Sequence, residues 1–591
     1  MNQKSQDPSN DDRDEQTGLQ DESWNDDDSD TSGYILRENA IKNTWDSLYS
    51  NNDELLFCSG NPAVHLETLH PSHVQILQLW QIYLENFDPL LKVTHAPTLQ
   101  ARIINAMSNL DNVDPALEAL MFSIYSAAIF SLSQADCVES FQVPRDELLA
   151  RYQLGAREAL LKCGFLKTGD RDCLTALHFY LMTVKPLTDP RSLSATLGIT
   201  ARIAQRMGIH DEATNSKHPP LEAELRRRLW WSLVLFDARV SEMTDFRLGL
   251  LLPTWDCKQP SSVNDFDLRH EMKRPPEVHS LTSEALFAVL RAEFGNFIRY
   301  SACHLDFVNP ALKAVAEAAP RKSYTLEAFE EMIEAKYLQK CDSQIPLHYM
   351  TTWWARGQLA KCRFIEHISY CSTTSTQLTD KERDAGISSA ISMLECDTKL
   401  MTSQAIKSYR WMIYLNFPFP AYVHIVQDLR RRPLGEHTRA AWDVMGENCI
   451  ARFRDLKDRN NPMERKGSAF FKIFAGIVLH AWTARQAALT HSNGNDLELP
   501  PLIVTMIQDK LASLKEDLSS FEDNGVLGSG GRMPEFSSSM DIASSYGMDS
   551  NLLDRHYDPS SIVGVPPQLG FDANAWGWPP GMFHPILGNG W

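Results

Sequence analysis

Three consecutive arginines, Arg226-Arg227-Arg228, run through Leu229 into the pair Trp230-Trp231. Guanidinium groups pair with phosphates and carboxylates through a planar fork of donors, so contact with nucleic acid is one chemistry open to them. On a helix the three side chains point about 100° apart. At least one must then lie near an apolar face, where it needs an acidic or carbonyl partner. Glu222 and Glu224 stand just before the triplet, and the tryptophans close after it. A structural or interface role is therefore expected for the arginines, with the two indoles in the core and not in a ligand cage. Asp237 shares the face of Arg226 but lies about 16 Å along the axis, too far to pair with it directly.

Other clusters offer other chemistries. Asp26-Asp27-Asp28-Ser29-Asp30 has the spacing that clamps Mg²⁺ and a diphosphate in prenyl-transferring enzymes. That chemistry needs carboxylates on a rigid helix facing an apolar cavity. Here they sit in an acidic run, and Asn264-Asp265 is followed by Leu268 where a second metal motif needs Ser or Thr. As a calcium loop the same run fails at Thr31, where glycine must turn. His65, His70 and His73 read as surface or packing histidines. The 11 cysteines are scattered, no two separated by just two residues, so no zinc module can converge its thiolates. They are expected to be small core residues in a reducing compartment. No nucleophile elbow, zinc helix, P-loop or dinucleotide fingerprint occurs. No catalytic residue, metal or cofactor is expected, and the chain reads as a non-enzyme.

The elements that must position these residues are helical. Ile76, Leu79, Trp80, Tyr83 and Phe87 follow helical spacing. Leu193, Leu197, Ala201, Ala204 and Met207 form one face of a helix closed by Gly208. Pro219-Pro220 opens the arginine helix, whose buried face is Leu225, Leu229, Leu233, Phe236, Val240 and Met243. The apolar run from Pro115 to Leu132 carries Glu118 and three serines and reads as a buried helix, not a membrane span. Helical patterning continues nearly throughout from His73 to about Leu518. The fold expected is all-α, a large irregular helical array.

Three domains follow. Residues 1–55 are an acidic, mostly disordered segment, with a short helical stretch near Ile35 to Leu48. Residues 56–521 form the helical domain. Residues 522–591 are a low-complexity Gly/Ser/Pro/aromatic tail, whose mixture of acids and bulky apolar groups suits an activation segment. At a net charge of -19 and a pI of about 5.4, the chain as a whole repels nucleic acid and favours protein partners. Arg430-Arg431-Arg432-Pro433 reads as a weak nuclear import signal or as a solvated helix end.

The order of segments resembles the fungal-specific transcription factor domain, the middle homology region that usually follows a six-cysteine zinc cluster. It opens with Asn86-Phe87-Asp88-Pro89-Leu90-Leu91-Lys92-Val93-Thr94-His95-Ala96-Pro97-Thr98. It continues through Gly198 to Asp211, then Glu222 to Asp237, and ends at Asn264-Asp265-Phe266-Asp267-Leu268. The signature residues are Asp88, Pro89, His95, Pro97, Gly208, His210, Arg226, Arg227, Arg228, Trp230, Trp231, Asp237 and Asp265. The resemblance spans roughly Leu69 to Arg485. One departure is Asp245-Phe246-Arg247-Leu248-Gly249, where the family often has Gly-Arg-Pro. No zinc cluster occurs in these 591 residues. The resemblance implies a nuclear transcriptional regulator that controls a pathway gene cluster such as one for secondary metabolites. It implies partners among other transcription factors or co-regulators, DNA reached indirectly or through a missing zinc cluster, a small-molecule effector, and no membrane. The alternative is a helical small-molecule-binding protein or a prenyl diphosphate enzyme.

Overall fold

A computed structural model describes residues 64–509 apart from 243–249, 252–253, 279–282, 302, 305–324, 374–378, 454–461 and 494–497. The N-terminal segment, the C-terminal tail, Asp26 to Asp30 and Met243 lie outside the described residues. Within them the elements are α-helices and short 3₁₀ turns, with no strand.

Local sequence opens these helices. The Ser72 hydroxyl and the Gln75 side chain form a reciprocal capping box at the start of α1 (His73–Asn86). Pro89 and Pro97 stand in the first turns of α2 (Asp88–Leu91) and α3 (Ala96–Met107), where a missing N–H costs nothing. Asp114 caps α4 (Pro115–Ser131), which is apolar all round and buried along almost its whole length. Around α4 pack α1, α6 (Arg145–Lys162) and α7 (Arg171–Val184), with the short α5 (Gln134–Phe141) leading into α6. Gly155 lets α6 approach closely, because a Cβ there would fall inside the Phe122 ring.

Next come α8 (Pro190–Arg206), the one-turn α9 (Glu212–Asn215) and α10 (Pro220–Ser241). Gly208, at φ 70°, ends α8 in a Schellman motif: Gly208 N–H bonds Gln205 O, and Ile209 N–H bonds Ala204 O. A second layer holds α11 (Leu286–Ile298), α12 (Leu326–Lys336), the long α13 (Pro346–Thr373) and α14 (Asp380–Thr402). After α15 (Arg410–Tyr414), helices α16 (Phe419–Arg431) and α17 (Thr438–Phe453) pack on α14, and α18 (Pro462–Asn493) packs on α16. The large core runs from Leu66 through the α4 centre to Trp411. A second joins α13, α14, α16, α17 and α18, and a third sits between α11, α12 and α13.

One stretch departs from the helical reading. Leu250 to Glu284 is mostly irregular, with a single described 3₁₀ turn at Asp265–Asp267. Pro260 and Pro275-Pro276 interrupt it. Its backbone is satisfied by side chains of neighbouring elements. Trp231 Nε1 donates to Lys258 O, Arg299 to Trp255 O, and Ser261 N–H donates to Glu224. No helix among the described residues is long and apolar enough to cross a membrane.

Candidate functional site

The segment Asp88–Thr98, helix α10 and the irregular stretch around Asp265 meet in one buried ionic network. Lys92 is its hub. It ends α2 in the left-handed region at φ 51°, unusual for a residue with a Cβ. That turn folds its ammonium back to Asp88 at 2.8 Å and on to Asp265 at 3.0 Å and Glu284 at 3.3 Å. Arg228, with no solvent exposure of its side chain, donates to Glu224 at 3.0 Å and to Asp265 at 3.2 Å. Asp265 thus lies between two cations, one on each carboxylate oxygen.

The surroundings complete the cluster. His95 Nε2 donates to the Asp265 carbonyl at 2.9 Å, which sets its tautomer, and its Nδ1 lies 3.0 Å from the Thr98 hydroxyl. The Tyr83 hydroxyl meets that of Thr94 at 2.8 Å, and Thr94 donates to Asp88 at 3.1 Å. Burial pushes the Asp265 carboxyl up, but Lys92 and Arg228 outweigh it and hold it below the usual carboxylate range. Burial dominates at Asp88 and raises its pKa despite Lys92. Burial also works against both cations, yet the acids around Lys92 and Arg228 keep each more firmly protonated than in water.

The arginine triplet splits three ways, as its helical phase requires. Arg226 is buried, donating to Asn215 at 2.9 Å and to Met207 O. That carbonyl belongs to the turn that Gly208 closes. Arg227 forks onto Glu212, and Arg228 enters the ionic network. Two of the three are thus buried, where the helical phase demanded only one. None is presented to a phosphate backbone.

Trp230 and Trp231 are core residues, 0% and 2% exposed. Both meet Trp255 edge-on, at 5.4 and 5.1 Å between ring centroids, and the Arg299 guanidinium lies 3.6 Å over the Trp255 face. His210 packs 5.8 Å from Trp230. Asp237 is apart from the network; it accepts the Leu250 N–H at 2.6 Å, and burial pushes its carboxyl up to about 6. The structure therefore joins Asp88, His95, Arg228 and Asp265. It places Pro89 and Pro97 at helix starts, and Gly208, His210, Arg226, Trp230 and Trp231 in the adjoining packing.

Several partners escaped sequence reasoning as site residues: Lys92, Thr94 and Glu284 in the network, and Asn215 and Glu212 beside it. Lys92 stands four residues after Asp88 and Glu224 four before Arg228, a spacing that pairs charges on one helix face. Those two pairs were detectable; the link between them through Asp265 was not. Among the histidines near the domain start, His70 is buried against Phe122, 3.8 Å from Glu118. No group of metal-ligating side chains converges among the described residues.

The fold and this network define a large α-helical domain in which Asp88, His95, Arg228 and Asp265 tie three of its own segments together. The description "fungal specific transcription factor domain" matches residues 80–282, which contain the whole arrangement except Glu284. The chain is 45% identical over 501 residues to the transcriptional regulator AacuB of Aspergillus aculeatus, covering 83% of this chain and 67% of that one. It is 43% identical over 493 residues to the transcriptional regulator nsrM of Aspergillus novofumigatus, covering 81% and 66%. It is 30% identical over 433 residues to the aurofusarin cluster transcription factor aurR2 of Gibberella zeae, covering 73% and 63%. The chain belongs to the fungal-specific transcription factor domain family. It spans about two thirds of the length of these relatives.

Proposed function

We propose that this chain regulates transcription of a biosynthetic gene cluster in the nucleus, with residues 56–521 as its regulatory domain. The observation that carries the reading is the identity to transcriptional regulators, 45% and 43% over more than four fifths of the chain. An aurofusarin cluster factor and a pyriculol/pyriculariol biosynthesis cluster factor are among the relatives. The signature residues keep the domain in one arrangement. Asp88, Lys92, Arg228 and Asp265 fix the junction of three segments, and Gly208 and Arg226 fix the α8–α10 corner. The tail at 522–591 contacts co-regulators as an activation segment. DNA is read by a zinc cluster or by another transcription factor, because the arginine triplet is consumed internally. The domain has no catalytic role, and a small-molecule effector or a second regulator sets its activity.

Deleting the gene and sequencing the transcripts tests this. Coordinated loss or gain of transcripts from a contiguous set of biosynthetic genes is expected. An unchanged transcriptome, with turnover of a prenyl diphosphate by the purified chain, would sink the reading in favour of the enzyme.

A further inference from the structure

Cys163 and Cys173 sit at the two ends of one helix–helix connection. Cys163 follows the last residue of α6, and its thiol lies 3.3 Å from Leu160 O. Cys173 is the third residue of α7, whose N-terminus Asp170 caps through the Asp172 and Cys173 N–H groups. Between them run Gly164, at φ 63°, and a short 3₁₀ turn, Phe165–Lys167. The two sulfurs are 3.1 Å apart. A disulfide needs about 2.05 Å, so roughly 1 Å of approach closes the gap.

Access and reactivity are divided between the two thiols. Cys163 is partly exposed, while Cys173 is 1% exposed. A helix N-terminus favours a thiolate. The bond from Cys163 favours the Cys173 thiolate more than burial and the nearby Asp170 and Asp172 oppose it, so its pKa falls below the usual value, while the same bond, together with burial, raises that of Cys163. Cys137, Cys257, Cys362 and Cys449 are buried elsewhere, and burial raises each of their pKa values.

We propose that Cys163 and Cys173 form a reversible intramolecular disulfide when the chain meets a small disulfide such as oxidised glutathione. Cys163, the accessible thiol, gives its proton to the Cys173 thiolate across the 3.1 Å contact and attacks one sulfur of the small disulfide; that S–S bond breaks and the first leaving thiolate takes a proton from water. Cys173, as thiolate, then attacks the Cys163 sulfur and expels the second thiolate, which takes up the Cys173 proton. Two protein thiols are oxidised by two electrons, and one small disulfide is reduced to two thiols. The bridge staples the connection on which α8 docks, since Arg206 donates to Leu166 O and Thr168 O within it. Arg206 ends α8, next to the Met207 carbonyl that receives Arg226, so the connection is linked to the arginine helix through the end of α8.

The full chain, incubated with oxidised glutathione, acid-quenched, alkylated and digested, decides the matter. The expected result is one cross-linked peptide joining Cys163 to Cys173, loss of both thiols to alkylation, and recovery of both with dithiothreitol. The four buried cysteines named above remain alkylatable only after unfolding. In Cys173→Ser the exchange should stop at a glutathione adduct on Cys163. A stable adduct on Cys163 in the wild-type chain, alkylation of both thiols at full yield, or cross-links shared among all the cysteines would each overturn the proposal. Circular dichroism before quenching verifies that the oxidised chain is folded.

Discussion

Arg228 shows how a side chain is committed by its surroundings. Its guanidinium is fully buried and faces Glu224, Asp265 and the carbonyls of Lys92 and Val263. Arg228→Ala takes one of two cations from Asp265 and the 3.0 Å arginine contact from Glu224, and breaking a buried pair costs about 3–5 kcal/mol. Urea unfolding should show that loss, and a change below 1 kcal/mol would mean that water reaches the site. Asp237 makes the opposite case. Its folded pKa of about 6 lies above the ordinary value of 3.8. Raised pKa in an acid means stability that is full below about pH 4 and is lost as pH rises to about 6. The loss is on the order of 3 kcal/mol, from 1.36 kcal/mol per pKa unit. Asp237→Asn keeps an acceptor for the Leu250 N–H and should remove this dependence. The difference between the two stability curves between pH 4 and pH 7 measures it, and parallel curves would refute it.

At the scale of elements, α4 is the axis on which the first core is wrapped, and its closest neighbour depends on one missing side chain. Gly155→Ala pushes a methyl into the Phe122 ring, so α6 must shift or Phe122 must leave its rotamer. A loss of about 1–3 kcal/mol is expected for such overpacking. Phe122→Leu in the same chain should restore part of it, and additive losses in thermal unfolding would show that the contact is not the cause. The helices themselves were legible because apolar spacing and caps are local: the Pro115 run, the Gly208 stop and the Pro219-Pro220 start all stand where the patterns put them. Leu250 to Glu284 was not legible. Its backbone partners are side chains brought from α10, α11 and the segment before α3, and no local pattern records them. The network divides the same way. The Asp88–Lys92 and Glu224–Arg228 pairs lie within single turns, whereas Lys92–Asp265 spans 173 residues and needs the fold itself.

Across the whole molecule, charge and burial agree on how the chain can meet nucleic acid. The net charge is -19, and of the arginines that suggested a phosphate contact two are buried and the third is paired with Glu212. Fluorescence anisotropy on a short random duplex at low salt should find affinity weaker than about 10⁻⁴ M. Arg227→Gln should leave that result unchanged. Tighter binding with a steep salt dependence, lost in Arg227→Gln, would overturn the assignment of the triplet to internal packing.

The 173-residue reach from Lys92 to Asp265 also sets a clock. Chains leave the ribosome at about 5–20 residues per second, so Asp265 follows Lys92 by roughly 10–35 s. During that interval Lys92 has Asp88 but neither Asp265 nor Glu284, and a desolvated ammonium with one of its three carboxylates is too costly to bury. The N-terminal helices must therefore keep the Asp88–Lys92 corner wet, and the apolar surface beside it open, until translation has passed residue 284. A nascent chain stalled before that point would remain a client for holding chaperones, and one released after it could close the corner in a single step.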